Sequence, residues 1–154
     1  MSELKEGVKA SAFALFGLDE KKVSLKDFLG QKVILYFYPK DMTSGCTQEA
    51  CDFRDSFPKF EKINAVVLGI SKDALKLHKK FQEKYNLPFN LLSDESGEVC
   101  EKYDVWKEKS MYGKKYMGIE RTTFLIDESG KIIKIFRKVK VKGHINEILE
   151  FLGK

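Results

Sequence analysis

The chain has 154 residues, 43% hydrophobic and 33% charged, and carries a net charge of +5 from 28 basic and 23 acidic side chains. Such proportions fit a soluble globular protein whose residues 1–154 fold as one domain with a sizeable core. No apolar run approaches the roughly 20 residues needed to span a bilayer, the N-terminal MSELKEGVKAS lacks the order of a signal peptide, and the lysines are interleaved with acids (KFEK, KKFQEK, CEKYDVWKEK). No membrane or nucleic-acid partner is therefore expected, and a cytoplasmic location is.

In chain order, Ser24 caps a short turn, SLKDFLG, that ends at Gly30. KVILYFY, residues 32–38, is apolar on both faces and predicts a central strand covered by helices on two sides. A helix follows over residues 43–60, interrupted near Pro58. AVVLGI, residues 65–70, predicts a second buried strand. DALKLHKKFQEKY, residues 73–85, predicts a helix that starts at the aspartate, with apolar residues at 74, 77, 81 and 85 and His78 on the solvated side. A short helix around GEVCEKY comes next. TTFLID (122–127) and KIIKIF (131–136) then flank the turn Glu128-Ser129-Gly130 as a β-hairpin, and a last helix runs from Gly143 to Leu152. The order β-α-β-α-β-α-β-β-α predicts an α/β sandwich, its sheet partly parallel and closed by an antiparallel hairpin. The aromatics of LYFYPKD and YDVWKEKSMYGKKYM are expected in the core, with Trp106 or Tyr112 lining a pocket.

Three cysteines in a reducing compartment argue against a disulfide framework and for metal or redox chemistry. His78 and His144 are isolated, so no zinc site is expected, and no Gly-rich phosphate loop calls for a nucleotide or flavin cofactor. The informative stretch is PKDMTSGCTQEACDFRD, residues 39–55. Thr43 is placed to cap the helix by accepting a bond from the amide of Gly45 or Cys46. Cys46 then falls three positions after the cap, where a capping box carries Glu and where a thiolate gains from free amides and the helix dipole. The alternative is that Cys46 is a small buried hydrophobe. Cys51 lies five residues on, so its Cα is roughly 8.6 Å from that of Cys46 on an intact helix, beyond the roughly 7 Å that a disulfide allows.

The run Pro39-Lys-Asp-Met-Thr43-Ser-Gly-Cys46 resembles the P-x-x-x-T-x-x-C signature of peroxiredoxins. The longer YFYPKDMTSGCTQEACDFRD is similar to the bacterioferritin-comigratory (PrxQ) subfamily, and the likeness extends over nearly the whole chain. That resemblance implies a thioredoxin-like fold, a three-layer sandwich with a mixed central sheet. It also implies a thiol peroxidase acting on hydrogen peroxide and organic hydroperoxides. Cys46 would be the peroxidatic thiol. Thr43, the Cys46 amide and Arg121 (in GIERTTFLID) would stabilise the peroxide oxygens, Pro39 would shield the pocket, and Glu49 would orient Arg121. Cys51 would resolve the sulfenic acid as a Cys46–Cys51 disulfide, recycled by thioredoxin or a similar dithiol reductant, in a monomer without cofactor or metal.

An arginine is needed because thiolate formation alone is too small an effect. An ordinary cysteine is a few per cent thiolate at neutral pH, so full ionisation gains at most about 30-fold, or about 2 kcal/mol. Two features depart from the family pattern: Ser11-Ala12 replaces Ala-Pro, and Ser44 stands where proline is usual, which predicts a looser helix start. Cys100 lacks a cap or basic neighbours and is expected to be buried and inert, or else an alternative resolving thiol. A thiol–disulfide oxidoreductase or a redox-sensor module on the same fold remains the alternative function. The former normally uses Cys-x-x-Cys, whereas the spacing here is Cys-x4-Cys.

Overall fold

The computed structural model describes residues 4–153; the first three residues of MSELKEGVKAS and Lys154 lie outside it. Along the chain run β1 (Ala14–Phe16), β2 (Lys22–Ser24), a 3-10 turn (Leu25–Phe28), β3 (Lys32–Phe37), α1 (Ser44–Asp55), α2 (Phe57–Lys62), β4 (Ala65–Ser71) and α3 (Leu75–Tyr85). Then come β5 (Asn90–Ser93), α4 (Glu98–Lys102), β6 (Trp106–Met111), β7 (Lys114–Ile119), β8 (Thr122–Ile126), β9 (Ile132–Phe136) and α5 (His144–Phe151). Seven strands form one sheet in the order β2-β1-β5-β4-β3-β8-β9. Its centre, β3-β4-β5, is parallel, while β8 joins β3 antiparallel and β1 joins β5 antiparallel. The mixed sheet and the hairpin at its edge agree with the expected α/β architecture.

The double-sided apolar pattern of KVILYFY explains the layering. Val33, Leu35 and Phe37 face a core shared with Val99, Cys100 and Tyr103 of the α4 region. Ile34, Tyr36 and Tyr38 face the other way, onto Cys46, Ala50 and Phe53 of α1, Phe81 of α3 and Ile148 of α5. A strand's side chains alternate by residue, so a strand buried on both sides must be apolar throughout. Helix α1 is thereby pressed onto the sheet through Ala50 and Phe53, with Phe53 stacked on Tyr36 at 4.5 Å between ring centroids.

The helical stretch over 43–60 is broken near Pro58, as expected from the proline. Pro58 has no N–H, and its ring would strike a carbonyl one turn back, so α1 ends at Asp55 and α2 starts at Phe57 with Pro58 in its first turn. Helix α3 starts at Leu75 rather than at Asp73, because the Asp73 carboxylate is engaged by the Asp41 amide (2.7 Å) and Ser71 hydroxyl (2.7 Å).

His78 is not solvated. It is 0% exposed, inside the sandwich beside Phe81, and Ala74 is the residue turned to solvent. Periodicity counted His78 as polar, whereas its ring is bonded at both nitrogens, which removes the cost of burial.

No pattern in the sequence announces β1 and β2, at one end of the sheet, or the separate hairpin β6–β7. The hairpin turns at Tyr112 and Gly113, both at positive φ (52° and 79°), a geometry usually announced by Asn-Gly. With tyrosine there, the signal is hidden. Tyr112 is 98% exposed at the tip, and Tyr116 is also exposed, so neither belongs to the core. Trp106 packs on the α4 side, under the Lys72 ammonium at 4.1 Å, away from the face that holds Cys46.

Candidate active site

Chain leaving β3 crosses to α1 in six residues. Tyr38 still donates its N–H to Ile70 O (3.1 Å), extending the sheet register to the edge of the loop. Half-buried Pro39 follows, and Met42 then adopts φ +66°. For a residue with a side chain this left-handed conformation costs about 1 kcal/mol or more, which the surroundings must offset.

Thr43 precedes the helix with φ −77° and ψ 155°, but its hydroxyl does not cap the amides as the sequence suggested. It donates instead to Lys40 O at 2.9 Å, closing the loop on itself. The first main-chain bond of α1 runs from Thr47 N–H to Thr43 O (2.8 Å), so the amides of Ser44, Gly45 and Cys46 are the unpaired ones of the first turn.

Into this electropositive slot the fold brings Arg121, from the junction between β7 and β8. Its Nη2 donates to Cys46 Sγ at 3.3 Å, and its Nη1 donates to Glu49 Oε1 at 2.6 Å. One planar guanidinium thus bridges two residues one turn apart on α1, 75 and 72 positions away in sequence. Gly45 makes the approach feasible: a Cβ there would lie 3.2 Å from Arg121 Nη2. Cys46 is 2% exposed and Glu49 1%, whereas the Arg121 side chain keeps 16% of its surface. Burial pushes the Glu49 carboxyl up to about 7, with Arg121 opposing the rise. Glu49 Oε2 and the Tyr36 hydroxyl are buried without a hydrogen-bond partner.

Cys51 lies on the same helix, half-buried and unbonded. Its thiol is pushed up by burial and by Asp55 and Asp52, with Arg54 opposing. Because α1 is continuous from Ser44 to Asp55, the helical separation of roughly 8.6 Å between the two cysteine Cα atoms stands. Cys100 is fully buried on α4, its thiol pushed far up by burial and by Asp94. Of the residues singled out in the sequence, the structure therefore gathers Thr43, Cys46, Glu49 and Arg121 at one helix start, with Pro39 in the loop leading to it. It keeps Cys51 a turn and a half further along the helix. Asp41, an aspartate inside the motif itself, and His78 meet behind the loop at 2.5 Å. Asp41, Asp73 and His78 draw close enough to suggest a cation site. Both Asp41 carboxylate oxygens and both His78 ring nitrogens already have protein partners, however.

Comparison with known proteins shows the family. Residues 7–135 match the AhpC/TSA family. Peroxiredoxin Bcp of Bacillus subtilis (strain 168) is 54% identical over 146 residues, covering 95% of this chain and 93% of the relative. A mutant of Xylella fastidiosa PrxQ has a structure that superposes with a TM-score of 0.93 at 39% identity, covering 99% of this chain and 98% of that one. The Xanthomonas campestris bacterioferritin comigratory protein superposes with a TM-score of 0.87 at 41% identity, covering 92% and 90%. With the thioredoxin-like sandwich in place and the identities this high over nearly full length, the chain belongs to the AhpC/TSA family and is a peroxiredoxin, a thiol-dependent peroxidase, of the Bcp/PrxQ kind.

Proposed function

We propose that Cys46 is the peroxidatic thiol and that Arg121, Thr43 and the free amide of Cys46 form its peroxide pocket. The observation that carries this reading is the Arg121 guanidinium, 3.3 Å from Cys46 Sγ and anchored on its other side by Glu49. The Cys46 thiolate attacks one peroxide oxygen and the O–O bond breaks. The leaving oxygen departs with the electron pair and takes a proton to become water or an alcohol. Cys46 is left as a sulfenic acid.

Charge on the leaving oxygen develops where Arg121 and the Cys46 amide already point. Thr43 has spent its own proton on Lys40 O, so its oxygen is free to accept a bond from the peroxide O–H. Substrates are hydrogen peroxide and organic hydroperoxides; the Xanthomonas campestris relative has alkyl peroxide reduction activity.

Cys51 then attacks the sulfenic sulfur, water leaves, and a Cys46–Cys51 disulfide forms once the first turns of α1 unwind. Until that happens Cys51 is held a poor nucleophile by its raised pKa. A dithiol protein of the thioredoxin type reduces the disulfide, and the chain works as a cytoplasmic monomer. Among the described residues no helix is long and apolar enough to cross a membrane. Burial of Cys46 to 2% exposure favours this reading over a thiol–disulfide oxidoreductase, since a small peroxide reaches the sulfur where a protein disulfide does not.

The test is the Cys51→Ser variant treated with one equivalent of peroxide and a sulfenic-acid trap. Label on Cys46 is expected. Label mainly on Cys100, or none, would overturn the assignment.

A further inference from the structure

Behind the loop of residues 39–43 lies a buried polar cluster that none of the chemistry above uses. Asp41 accepts the Tyr38 hydroxyl on Oδ1 (2.5 Å) and meets His78 Nδ1 through Oδ2 (2.5 Å). His78 Nε2 lies 2.9 Å from Leu92 O, a carbonyl that can only accept, so this nitrogen carries a proton. Both carboxylate oxygens of Asp41 and both ring nitrogens of His78 thus have protein partners. The main chain of Asp41 is held as well: its N–H donates to Asp73 Oδ2 (2.7 Å), which Ser71 Oγ also engages (2.7 Å). Through Asp73 and His78, this one loop residue is pinned to β4, α3 and β5.

What does the pin hold? Immediately after it comes Met42 in the left-handed region, and immediately after that the uncapped start of α1, with Ser44 in place of a pre-set proline. The loop therefore contains its own strain and a weak helix start, and Asp41 is its main attachment to the rigid sandwich.

We propose that Asp41 and His78 are positioning residues that hold the Cys46 loop in its peroxide-reactive form against the strain at Met42, and so set the balance between the folded and unwound states of α1. The proposal rests on the assignment of Cys46 as peroxidatic thiol. With the pin intact, Thr43 and the Cys46 amide stay on the peroxide oxygens. With it broken, the strained loop relaxes, the first turn frays, and Cys51 reaches Cys46 sooner. Loss of the pin therefore slows the first chemical step and speeds the second, in opposite directions.

The experiment follows Cys46 oxidation by hydrogen peroxide, and the later Cys46–Cys51 disulfide, by quenched-flow mass spectrometry in wild type, His78→Gln and His78→Asn. Glutamine reaches toward Leu92 O and abandons Asp41; asparagine keeps an N–H where Nδ1 was. His78→Gln is expected to oxidise about tenfold more slowly and to close the disulfide at least about threefold faster, with amide exchange accelerated over residues 40–50 and unchanged in β3 and β4. His78→Asn should recover most of both rates. If His78→Gln does not fold, Ser71→Ala, which loosens the same pin at Asp73, is expected to shift both rates in the same two directions by about twofold. The proposal is overturned if both steps slow together, if the oxidation rate is unchanged, or if exchange rises throughout the sheet. Failure of wild-type Cys46 to form a sulfenic acid would instead overturn the peroxidatic assignment.

Discussion

Cys46 and Cys100 occupy the same position in two different helices. Each is buried, and each is the third residue after the N-terminal flanking residue, Thr43 for α1 and Gly97 for α4. In α4 the anion slot is already filled, since the Asp94 carboxylate accepts from the amides of Val99 (3.3 Å) and Cys100 (2.8 Å). Burial, and next that negative charge, keep the Cys100 thiol protonated. In α1 no carboxylate takes the amides. The nearest one, Glu49, turns to Arg121, and the guanidinium faces the sulfur. A helix N-terminus therefore does not activate a cysteine by itself. What decides is whether the chain's own carboxylate or an arginine completes the site.

The largest effect should come from removing each thiol in turn. Cys46→Ser is expected to lower peroxide consumption by about a thousandfold or more, while Cys100→Ser stays within about twofold of wild type, both read by a peroxide-consumption assay with excess dithiol. Activity lost at Cys100 instead would dissolve the contrast. Next, Arg121→Ala should slow Cys46 oxidation by more than about tenfold without altering the reactivity of Cys100. An effect below about threefold would make the arginine a packing residue.

The pH dependence of stability sharpens the role of Glu49. Its carboxyl binds a proton more tightly folded than unfolded, so its contribution is complete below pH 4.5 and falls as the pH rises to about 7. The loss is on the order of 3 kcal/mol, and Glu49→Gln should flatten that slope in urea titrations across the same window. The smallest change is Ser44→Pro. Thr43, at φ −77° and ψ 155°, already has the conformation that a residue before proline requires. The variant should gain about 0.4–1 kcal/mol and slow disulfide closure, measured by thermal unfolding and the second oxidation phase.

Regularities of short range were open to inspection in the sequence. The two-sided apolar strand at 32–38, the parallel core it implies, the break at Pro58 and the cysteine in the first turn of a helix all follow from periodicity and from the backbone limits of proline. Where a local signal was missing, elements were missed, as at the β6–β7 hairpin with tyrosine in its turn. The resemblance carried Arg121 and Glu49 into the site, since nothing near either residue in the chain marks a partner more than 70 positions away.

His78 shows the limit most directly. On its own helix it is one polar residue among lysines, and only the arrival of Asp41 from the loop and of Leu92 O from β5 makes its burial favourable. The hydroxyl of Thr43 is a similar case: the sequence offered it the amides of Gly45 or Cys46, and the path of the loop gives it Lys40 O instead. The sequence by itself determined which residues could do the chemistry and the local geometry that primes Cys46. Tertiary structure alone decided which polar groups would face each other. Backbone propensity acts over a few residues, whereas the cost of a buried charge or an unmade hydrogen bond is set by whatever the rest of the fold places beside it.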